Sequence, residues 1–305
     1  MPDGRFAPSP TGPLHVGNLR TALLAWLFAK VDGGRFLVRV EDLDPVASRE
    51  ELVVEHLADL AALGLDHDGP VLRQSDLSTR RRHEAALGVL DRAGLLYPCF
   101  CSRREIRDAA RAAHGPLPEG AYPGTCRDLD EVGRAARAAK RPEHPPSLRV
   151  RAGAAAVTIV DRLHGEHTGV VDDFVVRRGD GVPAYNLAVV VDDAHQAIAE
   201  VVRGDDLLVG TPRQAWLIDR LGLHRPSWVH VPLVLGPDGE RLAKRHGSVT
   251  RAELLAAGVD AEDLLGRMGA SLGLAALGER VDAATLLERF DPEAVPLDPW
   301  VFDPP

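Results

Sequence analysis

Residues 5–30 read RFAPSPTGPLHVGNLRTALLAWLFAK, and this stretch decides the fold class. It predicts a short extended segment, then a loop rich in proline and glycine, and then a helix over Leu19–Lys30, where apolar residues recur at helical spacing. A loop that leaves the carboxyl end of a strand just before a helix lies where open α/β sheets bind their ligands. The stretch therefore predicts the first unit of an α/β fold together with a ligand-binding loop.

His15 and Gly17 stand where this helix is expected to begin. A helix start offers free backbone N–H groups and a partial positive charge, both of which suit a phosphate. Histidine can donate a hydrogen bond to a phosphate oxygen, and glycine lets a ligand approach the backbone closely. The sequence has neither a P-loop nor a full G-x-G-x-x-G motif. The two residues thus indicate a nucleotide site of another kind, with a solvent-exposed loop histidine as the alternative.

The segments that follow continue the strand and helix alternation. RFLVRVED at 35–42 is β-rich, and a helix with Ser48 as its N-cap is expected to run to Leu63. NLAVVVDDA at 186–194 is a nearly continuous apolar run and is predicted to be a buried parallel strand. Further strands are predicted in 147–151, 157–163, 172–178 and 228–231, and a helix in 211–223. The order predicts an α/β fold with a doubly wound, parallel sheet.

Composition excludes several classes of protein. The chain has 305 residues, a net charge of −9 and a sequence pI near 5.7, which argues against broad, sequence-independent binding of nucleic acid. No signal sequence and no apolar run of membrane-spanning length is apparent. Three cysteines cannot all pair with one another, so we expect a protein of the reducing cytoplasm that does not act at a membrane.

The three cysteines, Cys99, Cys101 and Cys126, fall in a proline-rich segment that also holds an Ala/Arg-rich helix near 129–140. A Cys-x-Cys pair cannot easily close a disulfide on itself, and three thiols in such a segment are typical of a zinc site. Zinc needs a fourth ligand, for which His114, Glu119 and water are candidates. Three free, buried cysteines are the alternative.

At this point two motifs show a family resemblance. RFAPSPTGPLHVGNLRTAL resembles the first signature of class I aminoacyl-tRNA synthetases in its glutamyl form, and RLAKRHG at 241–247 resembles the second. Between them RVEDLDP, AYNLAVVVDDA and VVRGDDLLVGTPRQ resemble glutamyl-type blocks in the expected order. The resemblance covers residues 5 to about 250 and implies a Rossmann-like catalytic fold.

The resemblance also implies a reaction, in which a glutamate carboxylate attacks the α-phosphate of ATP. His15 and Lys244 would be catalytic, and His15, Gly17, Asn18 and Lys244 would bind ATP with Mg²⁺. The residues implied for L-glutamate are Arg5, Ala7, Ser9, Glu41, Tyr185 and Arg203. Arginine binds carboxylates bidentately, so Arg5 and Arg203 would take the two carboxylates and Glu41 the ammonium. A structural ion pair with Asp205 or Asp206 is the alternative for Arg203.

One branch of the family has a Cys-x-Cys…Tyr-x-x-x-Cys zinc site. The resemblance therefore implies one structural Zn²⁺ held by Cys99, Cys101, Tyr122 and Cys126. Four parts are expected: 1–96 and 148–250 as the two halves of the catalytic domain, 97–147 as a zinc-binding insertion, and 251–305 as a short helical region.

About 60 residues follow Lys244, which is too few for a helical anticodon-binding domain. The chain thus resembles the glutamyl-queuosine tRNA(Asp) synthetase family. That family activates glutamate without tRNA and transfers it to queuosine at the wobble position of tRNA(Asp), so the anticodon loop would enter the catalytic site. The alternatives are a compact glutamyl-tRNA synthetase that charges the 3′ end of tRNA(Glu), and a non-catalytic synthetase-like binding protein. We expect a monomer.

Overall fold

The computed structural model describes residues 1–102, 104–106, 121–242 and 249–305. The helices with described bounds are α1 (Val16–Val31), α2 (Glu50–Ala62), α3 (Leu77–Arg92), α4 (Glu131–Ala139), α5 (Tyr185–His195), α6 (Thr211–Leu221), α7 (Arg251–Ala256), α8 (Ala261–Ala270) and α9 (Ala283–Arg289). The strands are β1 (Gly4–Phe6), β2 (Phe36–Val40), β3 (Leu72–Arg73), β4 (Leu96–Cys99), β5 (Ser147–Val150), β6 (Ala155–Asp161), β7 (Gly165–Val171), β8 (Val175–Arg177), β9 (Glu200–Gly204), β10 (Ser227–Val231), β11 (Val234–Leu235) and β12 (Trp300–Val301). Short 3₁₀ helices cover Asp205–Gly210 and Pro292–Ala294.

Two ladders of parallel strands form the centre of the fold. β1, β2 and β3 form one parallel ladder, and β9, β10 and β6 form another. The two ladders meet where the Ala199 and Glu200 N–H groups donate to the Asp3 carbonyl oxygen, at 2.9 and 3.2 Å. β7 is antiparallel to β6, because a connection as short as residues 162–164 permits only a hairpin. The sheet that holds β6 and β7 is therefore mixed, whereas the sequence predicted a wholly parallel one.

Helix α1 belongs to the largest apolar core in the described part of the chain and is buried along nearly its whole length. Its Phe28 ring meets Phe290 of the C-terminal region edge-on, with centroids 5.1 Å apart. The helix begins at Val16, one turn before the predicted Leu19, because His15 caps it. The predicted helix is confirmed, and the C-terminal helices bury its outer face.

Two sequence predictions of secondary structure were wrong. The run at 186–194 is not a strand but most of helix α5, whose residues from Leu187 to Asp193 are all buried. A helix buried on every side loses its amphipathic period and cannot be told from a buried strand by hydropathy. Ser48 does not cap α2, which begins at Glu50 behind Arg49.

The cysteine-bearing segment leaves and re-enters the fold between paired strands. Cys99 of β4 lies opposite Ser147 of β5, and β5 pairs in turn with β8, all antiparallel. Helix α4 confirms the helix predicted near 129–140. The boundaries of the four expected parts stay predictions. Within the described residues, no helix is both long enough and apolar enough to cross a membrane.

Candidate active site

A cavity of about 480 Å³ lies at the carboxyl ends of β1, β2 and β9, beside the start of α1. It is lined by every predicted glutamate or ATP residue that the structure describes, namely Arg5, Ala7, Ser9, His15, Gly17, Asn18, Glu41, Tyr185 and Arg203. Lys244 lies outside the described residues. The carboxyl ends of parallel strands meet at one edge of a sheet, so residues far apart in sequence reach the same cavity.

His15 is the N-cap of α1 and is held by Asn18. The Asn18 backbone N–H donates to His15 Nδ1 at 3.3 Å, and the His15 backbone N–H donates to Asn18 Oδ1 at 3.2 Å. Because Nδ1 accepts a hydrogen bond, the ring proton of the neutral imidazole sits on Nε2. Burial, and next the charge of Arg241, lower the His15 pKa below 6.5. The ring is therefore a neutral donor at the helix N-terminus.

Gly17 makes room for that ring. A Cβ at Gly17 would stand 2.9 Å from His15 Cε1 and 3.0 Å from His15 Nδ1, closer than side chains tolerate. The glycine was predicted for the approach of a ligand to the backbone. The structure adds a second reason, which is that a side chain here would displace the histidine.

At the other end of the cavity, buried charges form a continuous network. Asp193 pairs with Arg5 Nε at 3.0 Å and with Arg39 Nη1 at 2.6 Å, and Arg39 Nη2 donates to Glu41 at 3.3 Å. Arg39 is fully buried, and Arg5 is 4% exposed. Burial raises the Glu41 pKa. Burial would also raise the Asp193 pKa, but the charges of Arg39 and Arg5 outweigh it and hold that pKa below 3.8.

Arg203 enters the same cavity from β9. Its three nitrogens bond to His230, Gln214 and Thr211 at 3.0, 2.8 and 2.8 Å. The predicted alternative, an ion pair with Asp205 or Asp206, is not seen, and Asp206 pairs instead with Arg241 at 2.7 Å. Burial lowers the Arg203 pKa. Tyr185 stands nearby at the mouth of the cavity with 46% of its surface exposed.

Sequence reasoning missed the side chains that hold these residues. The family blocks contain Asp193 and Arg39 but predicted no role for them, and His230 and Asp161 were predicted only to lie in strands. A signal was present, since all four are charged or polar residues within strongly apolar runs. Such groups stay buried only when they are paired.

The segment that carries Lys244 joins two described residues that are tied to the site. The Leu242 N–H donates to the Val234 carbonyl oxygen at 3.1 Å, and Val249 accepts from the Val16 N–H at 2.8 Å. Arg241 and Val234 line the cavity. Both ends of this segment therefore lie beside His15 and helix α1.

A second group of chemically active residues lies in the cysteine segment. The sulfurs of Cys99, Cys101 and Cys126 all lie within 4.8 Å of one another, and the Cys101 and Cys126 sulfurs are 3.5 Å apart. Cys99 and Cys126 are buried, and no disulfide joins the three. Hydrogen bonds from Cys101 and Cys126 lower the Cys99 pKa. Three sulfurs converging on one point are the donor set that a zinc ion prefers.

Tyr122 completes this cluster. Its hydroxyl oxygen lies 3.4 Å from Cys99 Sγ and 3.8 Å from Cys101 Sγ, and it accepts the Cys126 backbone N–H at 2.8 Å. The Arg149 guanidinium lies 3.7 Å from the centre of its ring. Burial and the hydrogen bond with Cys99 raise the Tyr122 pKa, and the Cys126 backbone N–H acts in the opposite direction. The hydroxyl oxygen lies close enough to the Cys99 and Cys101 sulfurs to be a candidate fourth ligand. The competing candidates His114 and Glu119 lie outside the described residues.

Comparison with known proteins bears on this geometry. The family model for the catalytic domain of class I tRNA synthetases (E and Q) matches residues 3–303. The chain is 57% identical, over 98% of its length, to the glutamyl-Q tRNA(Asp) synthetase of Nocardia farcinica, of which it covers 92%. A protein of the same name from Symbiobacterium thermophilum is 46% identical over 97% of this chain, which covers 94% of that protein.

Longer proteins match as well. Glutamate–tRNA ligase 1 of Halorhodospira halophila is 41% identical over 98% of this chain, which spans 65% of that protein. The solved structure of a glutamate tRNA ligase from Elizabethkingia meningosepticum, in complex with its amino acid, matches with a TM-score of 0.82 at 26% identity, covering 98% of this chain and 66% of that one. By sequence, fold and the residues gathered in the cavity, the chain belongs to the class I aminoacyl-tRNA synthetase family of the glutamyl and glutaminyl type.

Proposed function

We propose that this enzyme activates L-glutamate with ATP, without tRNA, and transfers the glutamyl group to queuosine at the wobble position of tRNA(Asp). The cavity is the observation that supports activation of glutamate with ATP. In it, a helix N-terminus suited to binding phosphate lies beside a buried set of charged side chains. The similarity to proteins named glutamyl-Q tRNA(Asp) synthetase supports the transfer to queuosine.

The charges around the cavity complement glutamate. The charged residues that line the cavity, or pair with its lining, are four arginines (Arg5, Arg39, Arg203 and Arg241) and three acids (Glu41, Asp193 and Asp206), which leaves one positive charge. Glutamate has two carboxylates and one ammonium, and so one net negative charge. Arg5 and Arg203 would bind the carboxylates and Glu41 the ammonium, with Ser9 and Tyr185 adding hydroxyl groups and Ala7 lining the wall.

In activation, a carboxylate oxygen of glutamate attacks the α-phosphorus of ATP, the bond to the β-phosphate oxygen breaks, and pyrophosphate leaves. The Nε2–H of His15 would donate to a phosphate oxygen beside the backbone N–H of Gly17, and Asn18, whose backbone N–H is bonded to His15, would line the site. Lys244 would add a positive charge, which is supported by the described residues on either side of it, because Leu242 bonds to Val234 and Val249 bonds to Val16. ATP would arrive with Mg²⁺. In transfer, a ring hydroxyl of queuosine attacks the glutamyl carbonyl carbon and AMP leaves.

Cys99, Cys101, Cys126 and Tyr122 would hold one zinc ion. Zinc supplies a structural cross-link there and takes no part in the reaction. It would fix the insertion over 97–147 between the two halves of the catalytic domain, 1–96 and 148–250, with 251–305 as the helical C-terminal region. The reducing cytoplasm stays the predicted compartment, and a monomer the predicted state.

The test measures transfer of labelled glutamate to three RNAs: tRNA(Asp) with queuosine, tRNA(Asp) without it, and tRNA(Glu). The proposal expects label only on the queuosine-containing tRNA. Label on the 3′ end of tRNA(Glu) would instead establish a compact glutamyl-tRNA synthetase. If the protein showed no glutamate-dependent exchange between pyrophosphate and ATP, the result would favour the alternative of a non-catalytic binding protein.

A further inference from the structure

Three buried polar side chains form a chain that leads from the sheet to Arg203. Asp161 Oδ2 lies 2.6 Å from His230 Nδ1, and Arg203 Nε lies 3.0 Å from His230 Nε2. Asp161 and His230 are at most 1% exposed, and Arg203 is 6% exposed. The three side chains come from β6, β10 and β9, which are neighbours in one ladder.

The partners of His230 determine where its proton sits. A guanidinium has only donors, so His230 Nε2 must accept and must be unprotonated. Asp161 has only acceptors when ionised, so His230 Nδ1 must carry the proton. The His230 backbone N–H also donates to Asp161 Oδ2 at 3.1 Å. The Thr211 hydroxyl oxygen also lies 3.1 Å from His230 Nε2, to which it can donate. The neutral Nδ1–H tautomer therefore satisfies Asp161, Arg203 and Thr211 together.

The hydrogen bond from Arg203 Nε to His230 Nε2 is one of three contacts that fix the plane of the Arg203 guanidinium. Gln214 and Thr211 of α6 accept from its two terminal nitrogens. A guanidinium held through all three nitrogens presents its other donors to the cavity in one orientation, which is what bidentate recognition of a carboxylate requires.

We propose that His230 is a positioning residue for glutamate recognition: its neutral tautomer, fixed by Asp161, holds Arg203 in place, and protonation at Nε2 releases Arg203 and weakens glutamate binding. The inference rests on the proposed function, because Arg203 is taken to bind glutamate there. Protonation would set an N–H of His230 against the N–H of Arg203, so the contact would turn from attraction to repulsion.

The surroundings of His230 decide the pH at which this happens. The ionisable groups that face it are Asp161 from β6, Arg203 from β9 and His164, whose Nε2 contacts the His230 carbonyl oxygen at 2.9 Å. Burial lowers the His230 pKa, Asp161 acts in the opposite direction, and the charge of Arg203 lowers it further, so that it lies below 6.5. The KM for glutamate should therefore rise as the pH falls through the His230 pKa, which lies below 6.5, whereas the KM for ATP should not change.

Two substitutions test the roles of the two His230 ring nitrogens one at a time. In His230→Gln the side-chain oxygen reaches the position of Nε2, so it can still accept from Arg203 but cannot be protonated. In His230→Asn the amide reaches only the position of Nδ1, so it can bond to Asp161 but leaves Arg203 Nε without an acceptor. His67→Gln, at an exposed histidine, is the control.

The measurement is glutamate-dependent exchange between pyrophosphate and ATP from pH 5 to pH 8. We expect His230→Asn to raise the KM for glutamate about tenfold at pH 7.5, and His230→Gln to stay near the wild type there while losing the acid rise. A wild-type acid rise that persists in His230→Gln, or equal KM values for glutamate in the two variants, would overturn the inference alone. A wild type without glutamate-dependent exchange would overturn the proposed function first, and this inference with it.

Discussion

His15 and Asn18 cap the first helix reciprocally, each accepting the backbone N–H of the other through its side chain. The arrangement is a capping box in which the acceptor at the first position is an imidazole nitrogen. The same hydrogen bond that caps the start of the helix therefore also sets the histidine tautomer, and Nε2 carries the proton.

His15→Asn separates these two roles. Asparagine is a good N-cap, so we expect the melting temperature to stay close to that of the wild type. The Nε2 donor is lost, and removing one preorganised donor costs about 10²–10³ in rate. Pyrophosphate exchange measures the loss. Asn18→Ala is the matched variant, for which a stability loss of about 1 kcal/mol and a smaller loss of rate are expected. Near-normal exchange in His15→Asn would contradict the role of the histidine.

Gly17→Ala tests the close contact behind His15. Alanine is the better helix former by about 0.5–1 kcal/mol, which offsets the loss of the His15 cap, so stability should change little. The new Cβ would displace the His15 ring, however, and exchange should fall about tenfold or more because the donor is misplaced. Gly210→Ala is the control, since a Cβ there meets nothing within 4 Å. If Gly17→Ala matched this control in exchange, the displacement argument would be wrong.

Asp193→Asn removes the carboxylate shared by Arg5 and Arg39. Breaking a buried pair costs about 3–5 kcal/mol, and urea unfolding at pH 7 measures this cost against Asp66→Asn, an exposed position. The pKa of Asp193 is lower in the folded protein than 3.8. Its stabilisation is therefore present above pH 3.8 and is lost as the pH falls through the folded pKa.

The difference in unfolding free energy between wild type and Asp193→Asn should consequently narrow below about pH 4. A difference that stays constant from pH 7 to pH 3 would show that the ionised carboxylate does not supply the stability.

The cysteine cluster predicts one zinc ion in the purified protein. Elemental analysis should find it in the wild type and find most of it lost in Cys99→Ser, with a lower melting temperature because metal binding contributes to folding. Tyr122→Phe keeps the ring under Arg149 and removes only the hydroxyl. It should retain zinc with lower affinity in a chelator titration. Wild-type protein purified without zinc would contradict the assignment, and unchanged affinity in Tyr122→Phe would exclude the tyrosine as a ligand.

The sequence predicted the features that depend on residues close together along the chain, and it missed those that depend on distant residues. The loop and helix at 5–30 and the Cys-x-Cys pair are local patterns, and the structure has the helix and brings the three sulfurs together. Helix α5 was misread because its burial is set by distant neighbours that supply no periodic signal. The family blocks located the residues that line the cavity. They did not identify the buried side chains that hold those residues in place. Asp193 meets Arg5 across 188 positions, and no spacing rule predicts such a contact.

The junction of β1 with β9 has a consequence for biosynthesis. Strand β1 is made first, yet the edge on which it docks, near Ala199, emerges almost two hundred residues later. Chains are made at about 5–20 residues per second, so the first strand, which can already pair with β2, waits about 10–40 s for β9 on its other side. During that interval Arg5 lacks its partner Asp193, and helix α1 can pack on β1 and β2 but not on β9. The cavity is therefore completed late in synthesis, and an mRNA truncated before codon 200 would yield a chain in which β1 is paired on one side only.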